Sequence, residues 1–287
     1  RSGRAGGMSA QTDHAAALSR IADALEAMTA QVRGERPDWT DAPAYVWTGS
    51  GARGVSALQA PTLDQLHAID RQKETVVANI RRMAQGAAAH DMLLWGARGM
   101  GKSALLRAAV IDAAKAEPGR IALVQVGTDA LATLPDLFAE LARIDRAFLV
   151  FIDDLAFDEG GSADARHLRS WLEGGVEARP GNVRLAITSN RRAIVARDMA
   201  EQDDPINPRD VVDDRLALAD RFGLSVGFHA ASQDDYLAIV AAYADPLGLD
   251  WDEADALEWA RRRGARSGRT AWHYVTELAG RAGRALG

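Results

Sequence analysis

The run Gly96-Ala-Arg-Gly-Met-Gly-Lys102-Ser103 constrains this chain more than any other feature. It satisfies G-x-x-x-x-G-K-[ST] in full, a loop that belongs between a strand and a helix. Its glycines let backbone N–H groups curl around a polyphosphate, and the following helix turns its positive N-terminus toward the same anion. Both flanks fit. Met92-Leu-Leu-Trp95 is a short apolar run, and Ala104-Leu-Leu106 opens an apolar helical pattern. In such a loop the Lys102 ammonium reaches the β- and γ-phosphates and the Ser103 hydroxyl binds Mg²⁺. Gly96, Ala97, Arg98, Gly99, Met100, Gly101 and Ala104 complete the candidate nucleotide cradle.

The rest of the chain supplies the sheet that such a loop needs. Short apolar runs at Met92–Trp95, Ile121–Val126, Ala147–Ile152, Val183–Thr188 and Leu224–Phe228 are apolar on both faces. That is the texture of parallel strands covered by helices on two sides. Segments such as Ser103–Ala116 and Asp164–Leu172 are long enough for crossover helices. After residue 230 the strands stop: Ser232 caps a helix through Tyr243, and helical patterns follow at Asp252–Arg263 and Thr270–Ala282. The expected fold is α/β, a P-loop NTPase-type parallel five-stranded sheet flanked by helices and followed by a small helical lid domain.

At the other end, Arg1–Gly7 reads as a leader extension and is left out of the fold. Residues 8–61 form an N-terminal helix and a loop-rich linker. Leu18, Ile21, Leu25, Met28 and Val32 keep helical spacing, and one short strand is expected at Tyr45–Trp47. Residues 62–229 are the α/β core and 230–287 the lid. Gly49-Ser-Gly-Ala-Arg-Gly54 matches a dinucleotide-binding pattern by chance, because Pro61 intervenes before any helix develops.

Composition removes several function classes. The chain has 287 residues with 34 basic and 40 acidic side chains, a net charge of −6 that does not favour general nucleic-acid binding. It contains no cysteine, which excludes disulfides, thiolate zinc sites and a cysteine nucleophile. No apolar run approaches the ~18 residues that span a bilayer, so no membrane role is expected and the setting is cytoplasmic. The six histidines are dispersed, without HExxH. Of the basic residues only Lys73, Lys102 and Lys115 are lysines, so arginine is too common for any one position to stand out.

Three further clusters carry chemistry. Phe148-Leu-Val-Phe-Ile152 ends in Asp153-Asp154, and ligands of open α/β sheets bind at the carboxyl ends of strands. One of these acids can hold the hydration shell of Mg²⁺ while its neighbour orients or deprotonates water. The strand Val183–Thr188 ends in Ser189-Asn190, and Asn190 can hydrogen-bond the attacking water or the γ-phosphate. Arg215, Arg221, Arg261–Arg263, Arg266 and Arg269 are each candidates for an arginine finger.

This ordered set resembles the AAA+ superfamily of P-loop ATPases, and more narrowly a bacterial group of predicted AAA+ ATPases of unassigned role. The resemblance covers about residues 60–280. It rests on Leu93–Ser103, Phe151-Ile-Asp-Asp-Leu155, Leu172-Glu-Gly-Gly-Val-Glu-Ala-Arg-Pro180, Ile187-Thr-Ser-Asn-Arg-Arg192 and Leu218-Ala-Asp-Arg-Phe-Gly-Leu224. It implies Mg²⁺ coordination by Asp153, water activation by Asp154, a first sensor at Asn190 and a finger at Arg221 that reaches an adjacent subunit. Arg269 falls at the second sensor, and Leu66–Lys73, with Ile69, at the segment lining an adenine pocket. The chain departs from the family twice. Asp154 stands where glutamate is usual, one methylene shorter, and Ala68 where glycine is common.

The resemblance therefore implies an ATPase that uses ATP and Mg²⁺ and works as a homo-oligomer, of which a ring is one form. Its turnover would remodel a macromolecular partner, a protein rather than nucleic acid. The alternatives are a slow-turnover switch or loader that recruits a partner, and a phosphotransferase, for which no acceptor-binding insertion is visible.

Overall fold

The computed structural model describes residues 37–155, 179–190 and 221–286. The expected helix of residues 13–33, the crossover Asp164–Leu172, Arg215 and residues 172–178, 191–192 and 218–220 of the family motifs lie outside these. In chain order the elements are β1 (Ala44–Trp47), β2 (Ala52–Val55), α1 (Asp70–Ala84), β3 (Met92–Gly96), α2 (Lys102–Ala116) and β4 (Ile121–Val126). They continue with α3 (Leu134–Leu141), β5 (Ala147–Ile152), β6 (Val183–Ser189), β7 (Leu224–Phe228), α4 (Gln233–Ala244), α5 (Glu253–Arg262) and α6 (Gly268–Arg281).

The five expected strands are all present, in one sheet of order β2-β1-β4-β5-β6-β3-β7. Two strands extend it beyond the expected five. β1 pairs parallel with β4, and β2 folds back antiparallel on β1. The hairpin turn places Thr48 N–H on the Gly51 carbonyl at 2.9 Å, so the glycine-rich run 49–54 is a β-turn and an edge strand. The sheet therefore begins at residue 44, inside the segment expected to be linker.

Each central strand alternates between two apolar layers. Met92 and Leu94 of β3, with Leu149 and Phe151 of β5, face a core shared with α1, α2 and the three lid helices. Leu93, Phe148, Val150 and Ile152 face the opposite core, closed by α3 and Trp39. Fully burying each of these large side chains contributes about 1.5–3 kcal/mol, which is why the strands read as continuous apolar runs. The lid is continuous with the first core, where Tyr236, Val240, Tyr274 and Val275 are all buried.

Helix ends are chemically marked. The Ser232 hydroxyl accepts from Asp235 N–H and the Asp235 carboxylate accepts from Ser232 N–H, a reciprocal cap opening α4. Asp252 and Ser267 cap α5 and α6 from one side only, each side chain accepting from the backbone N–H three residues on. Among the described residues, no helix is long and apolar enough to cross a membrane.

Candidate functional site

Strand order builds the site. β6 lies between β5 and β3, so the carboxyl ends of all three emerge side by side. β3 ends in the P-loop, β5 in Asp153-Asp154 and β6 in Asn190. The middle strand thereby puts Asn190 between the lysine and the acids.

The loop closes tightly. Gly96 has φ +120°, and a Cβ there would lie 2.0 Å from the Phe228 carbonyl oxygen, so only glycine lets β3 turn beside β7. Gly99 has φ +74° and meets the lid: its carbonyl accepts from Arg269 N–H at 3.2 Å, and a Cβ there would come within 2.8 Å of Ser267 Oγ. Gly101 caps α2, and Lys102 is the first residue of that helix.

Lys102 is buried, yet its ammonium is fully engaged. It donates to the Gly96 carbonyl at 3.0 Å, the Ala97 carbonyl at 2.8 Å and Asn190 Oδ1 at 3.0 Å. Burial pushes its pKa below the usual lysine range; Asp154 and Asp153 pull it back up, and Arg269 and Arg98 press it lower. Asn190 in turn donates through Nδ2 to Asp154 Oδ1. One amide thus joins the candidate phosphate-binding lysine to the candidate water-activating acid.

The other acid, Asp153, is organised by hydroxyls. Ser103 Oγ donates to Asp153 Oδ1 at 2.6 Å, and Thr188 Oγ1 donates to the same oxygen at 2.5 Å. Thr188 Oγ1 also accepts from Asp154 N–H at 2.8 Å, which helps hold Asp154 at φ +54°, a conformation aspartate tolerates better than most residues. Thr188 was not among the sequence candidates. It lies one residue before the polar end of a buried strand, and its position against β5 is a tertiary fact.

A cleft of about 370 Å³ opens over these groups. Gly99, Met100, Gly101, Lys102, Ser103 and Ala104 form its P-loop wall, and Asp153, Asp154 and Asn190 its strand-end wall. Arg269 and Trp272 of α6, with Ile239 and Tyr243 of α4, close it from the lid. Ile69 lines the side contributed by the segment before α1, together with Leu66, His67 and Gln65. Gly96 and Ala97 lie behind the cleft and contribute carbonyls to Lys102. Arg98 does not line the cleft, but its guanidinium lies 3.7 Å from Asp154, which does. Arg221 is exposed and does not line the cleft. Among the described residues, no group of three or more His, Asp or Glu side chains is placed to hold a metal ion by itself.

A family model described as a protein of unknown function, DUF815, matches residues 40–282, most of the chain and all of the cleft. The chain belongs to the DUF815 family. Among proteins of curated function none matches it in sequence. Among solved structures, this DUF815 chain is similar to the Aeropyrum pernix Orc1 protein in complex with DNA, with 15% identity and a TM-score of 0.55 over 76% of this chain and 61% of that one. It also matches the Thermotoga maritima RuvB Holliday junction branch migration motor, with 17% identity and a TM-score of 0.47 over 76% of this chain and 64% of that one. The FIGL-1 AAA domain in complex with ADP matches with 17% identity and a TM-score of 0.49 over 78% and 75% of the two chains. The DUF815 chain thus spans less than two thirds of the Orc1 and RuvB chains. The likeness to Orc1 is one of fold, and the fold is the AAA+ architecture of parallel sheet and helical lid.

Proposed function

We propose that this DUF815 protein binds Mg·ATP in the cleft and hydrolyses it. The observation that carries the reading is the continuous hydrogen-bonded line from Lys102 through Asn190 to Asp154, at the mouth of a complete phosphate-binding loop. Lys102 and the P-loop N–H groups bind the phosphates, Ile69 borders the base and Arg269 meets the nucleotide from the lid. Asn190 and Asp154 orient the attacking water.

The residues present fit a magnesium ion. Ser103 Oγ and Asp153 Oδ1 face each other at 2.6 Å, an oxygen-only pair of the kind that holds Mg²⁺ together with substrate phosphates. When bound, Mg²⁺ neutralises charge on the phosphates. In hydrolysis the water oxygen bonds to the γ-phosphorus as the bond to the β–γ bridging oxygen breaks. ADP leaves with that electron pair, and the water's proton passes to Asp154 and then to solvent. Turnover would then drive lid and subunit movements that remodel a macromolecular partner, a protein rather than nucleic acid, with Arg221 completing the site of a neighbour in a homo-oligomer.

A second reading, a slow switch, is favoured by one observation: the Asp154 carboxylate is already engaged by Asn190 and faced by Arg98. Lys102→Ala tests the nucleotide reading itself. It should abolish phosphate release and weaken ATP binding by about 10- to 150-fold, since a charge-assisted contact is worth about 1.5–3 kcal/mol. Binding and turnover equal to wild type would overturn it.

A further inference from the structure

The P-loop carries a second cation. Arg98 Nη2 lies 3.7 Å from Asp154 Oδ2, beside the carboxylate expected to face the attacking water. Its charge also bears on Lys102, as does that of Arg269, and Arg107 lines the same cleft. Arg269 belongs to the lid and Lys102 is buried with its protons committed. Arg98 is the exposed member: its side chain is 74% exposed and its partner 54% exposed.

At 3.7 Å that pair is too long for a hydrogen bond, and an exposed pair of this kind contributes little. A guanidinium held so loosely turns readily toward a stronger anion. A terminal phosphoryl group offers several oxygens, and its charge redistributes as the bridging bond breaks. The planar fork of arginine matches two such oxygens at once, which a lysine cannot do.

We propose that Arg98 is a cis-acting catalytic arginine: its guanidinium leaves Asp154, engages the γ-phosphoryl oxygens and stabilises the transition state from within the same chain. The proposal rests on the ATPase reading of the cleft. Arg98 exchanges no proton and forms no covalent bond. It adds charge where charge develops, while bond making and breaking proceed as described for hydrolysis. One chain would then hold a basal catalytic site of its own, on which a neighbour's arginine builds.

The test compares the full chain with Arg98→Ala and Arg98→Lys, using titrations with Mg·ADP and with Mg·ADP plus aluminium fluoride, which mimics the phosphoryl group in transfer. Arg98→Ala should keep ADP affinity within about threefold, yet lose about 10²-fold of the extra affinity for the aluminium fluoride complex and of phosphate release. Arg98→Lys should recover only part of that loss, because it restores charge without the fork. Equal analogue affinity in wild type and Arg98→Ala would overturn the role of Arg98 while leaving the ATPase reading intact. Faster release from Arg98→Ala would also overturn it, by assigning Arg98 to restraint of Asp154. Wild type that fails to bind ADP would overturn the nucleotide reading, and the role of Arg98 with it.

Discussion

Ala68 has φ +62°, a left-handed backbone that costs a side-chain-bearing residue about 1–2 kcal/mol. It turns the chain within the segment lining the cleft, between His67 and Ile69, just before the start of α1. The family resemblance expects glycine there, and the backbone explains why. Ala68→Gly should therefore stabilise the protein, by about 0.5–1 kcal/mol after the extra entropy of glycine in the unfolded chain is subtracted. A higher denaturant midpoint with unchanged slope would be the signature; an unchanged or lower midpoint would refute it. Other residues were legible to different degrees. Lys102, Ser103, Asp153 and Asn190 stood out because motif and strand end both marked them. Thr188 did not, since a buried threonine in an apolar strand looks like packing until its hydroxyl is seen on Asp153. Arg98 was visible only as a loop position, because arginine is so frequent here that its side chain carried no signal.

Elements were readable where burial wrote them into the sequence. The five central strands are covered on both faces, so their apolar runs mark them directly. The β1–β2 hairpin was only half visible: β2, Ala-Arg-Gly-Val, is an edge strand whose two middle residues are exposed, and it carries no apolar alternation. α1 and α3 were missed, although Val76, Val77, Ile80 and Met83 of α1 and Leu134, Leu137, Phe138 and Leu141 of α3 keep helical spacing on their buried faces. The lid helices announced themselves through their caps. Ser232→Ala should cost about 1 kcal/mol at neutral pH by opening the N-terminus of α4. The Ser232 hydroxyl and then its N–H hold the Asp235 carboxyl below its usual range. A lowered carboxyl pKa stabilises the fold above the usual aspartate value and loses that contribution as pH falls through the folded one. The gap between wild type and Ser232→Ala should accordingly be full above about pH 5 and shrink below about pH 4. A gap that stays constant down to pH 3 in thermal melts would rule the carboxylate out of the cap.

For the whole molecule, the position of Arg221 bears on whether one chain completes its own site. Arg221 is exposed and away from the cleft of its own chain, as a residue serving a neighbour would be. Phosphate release per chain should then climb with protein concentration and saturate, and Arg221→Ala should remove the climb, by about 10-fold or more at the plateau. A rate that is flat across the range in which sedimentation shows assembly would deny Arg221 that role. The contact between lid and loop adds a mechanical consequence. The peptide of Gly99 receives Arg269 N–H, and a side chain at residue 99 would strike Ser267. Beside the apolar core they share, lid and phosphate cradle are therefore pinned to each other near the start of α6, the short arm of a lever whose long arm is the remaining three turns of that helix. A displacement of a few tenths of an ångström at the loop becomes a larger swing at the far end of the lid, and a load applied to the lid returns to the loop through the Gly99 carbonyl as well as through the core.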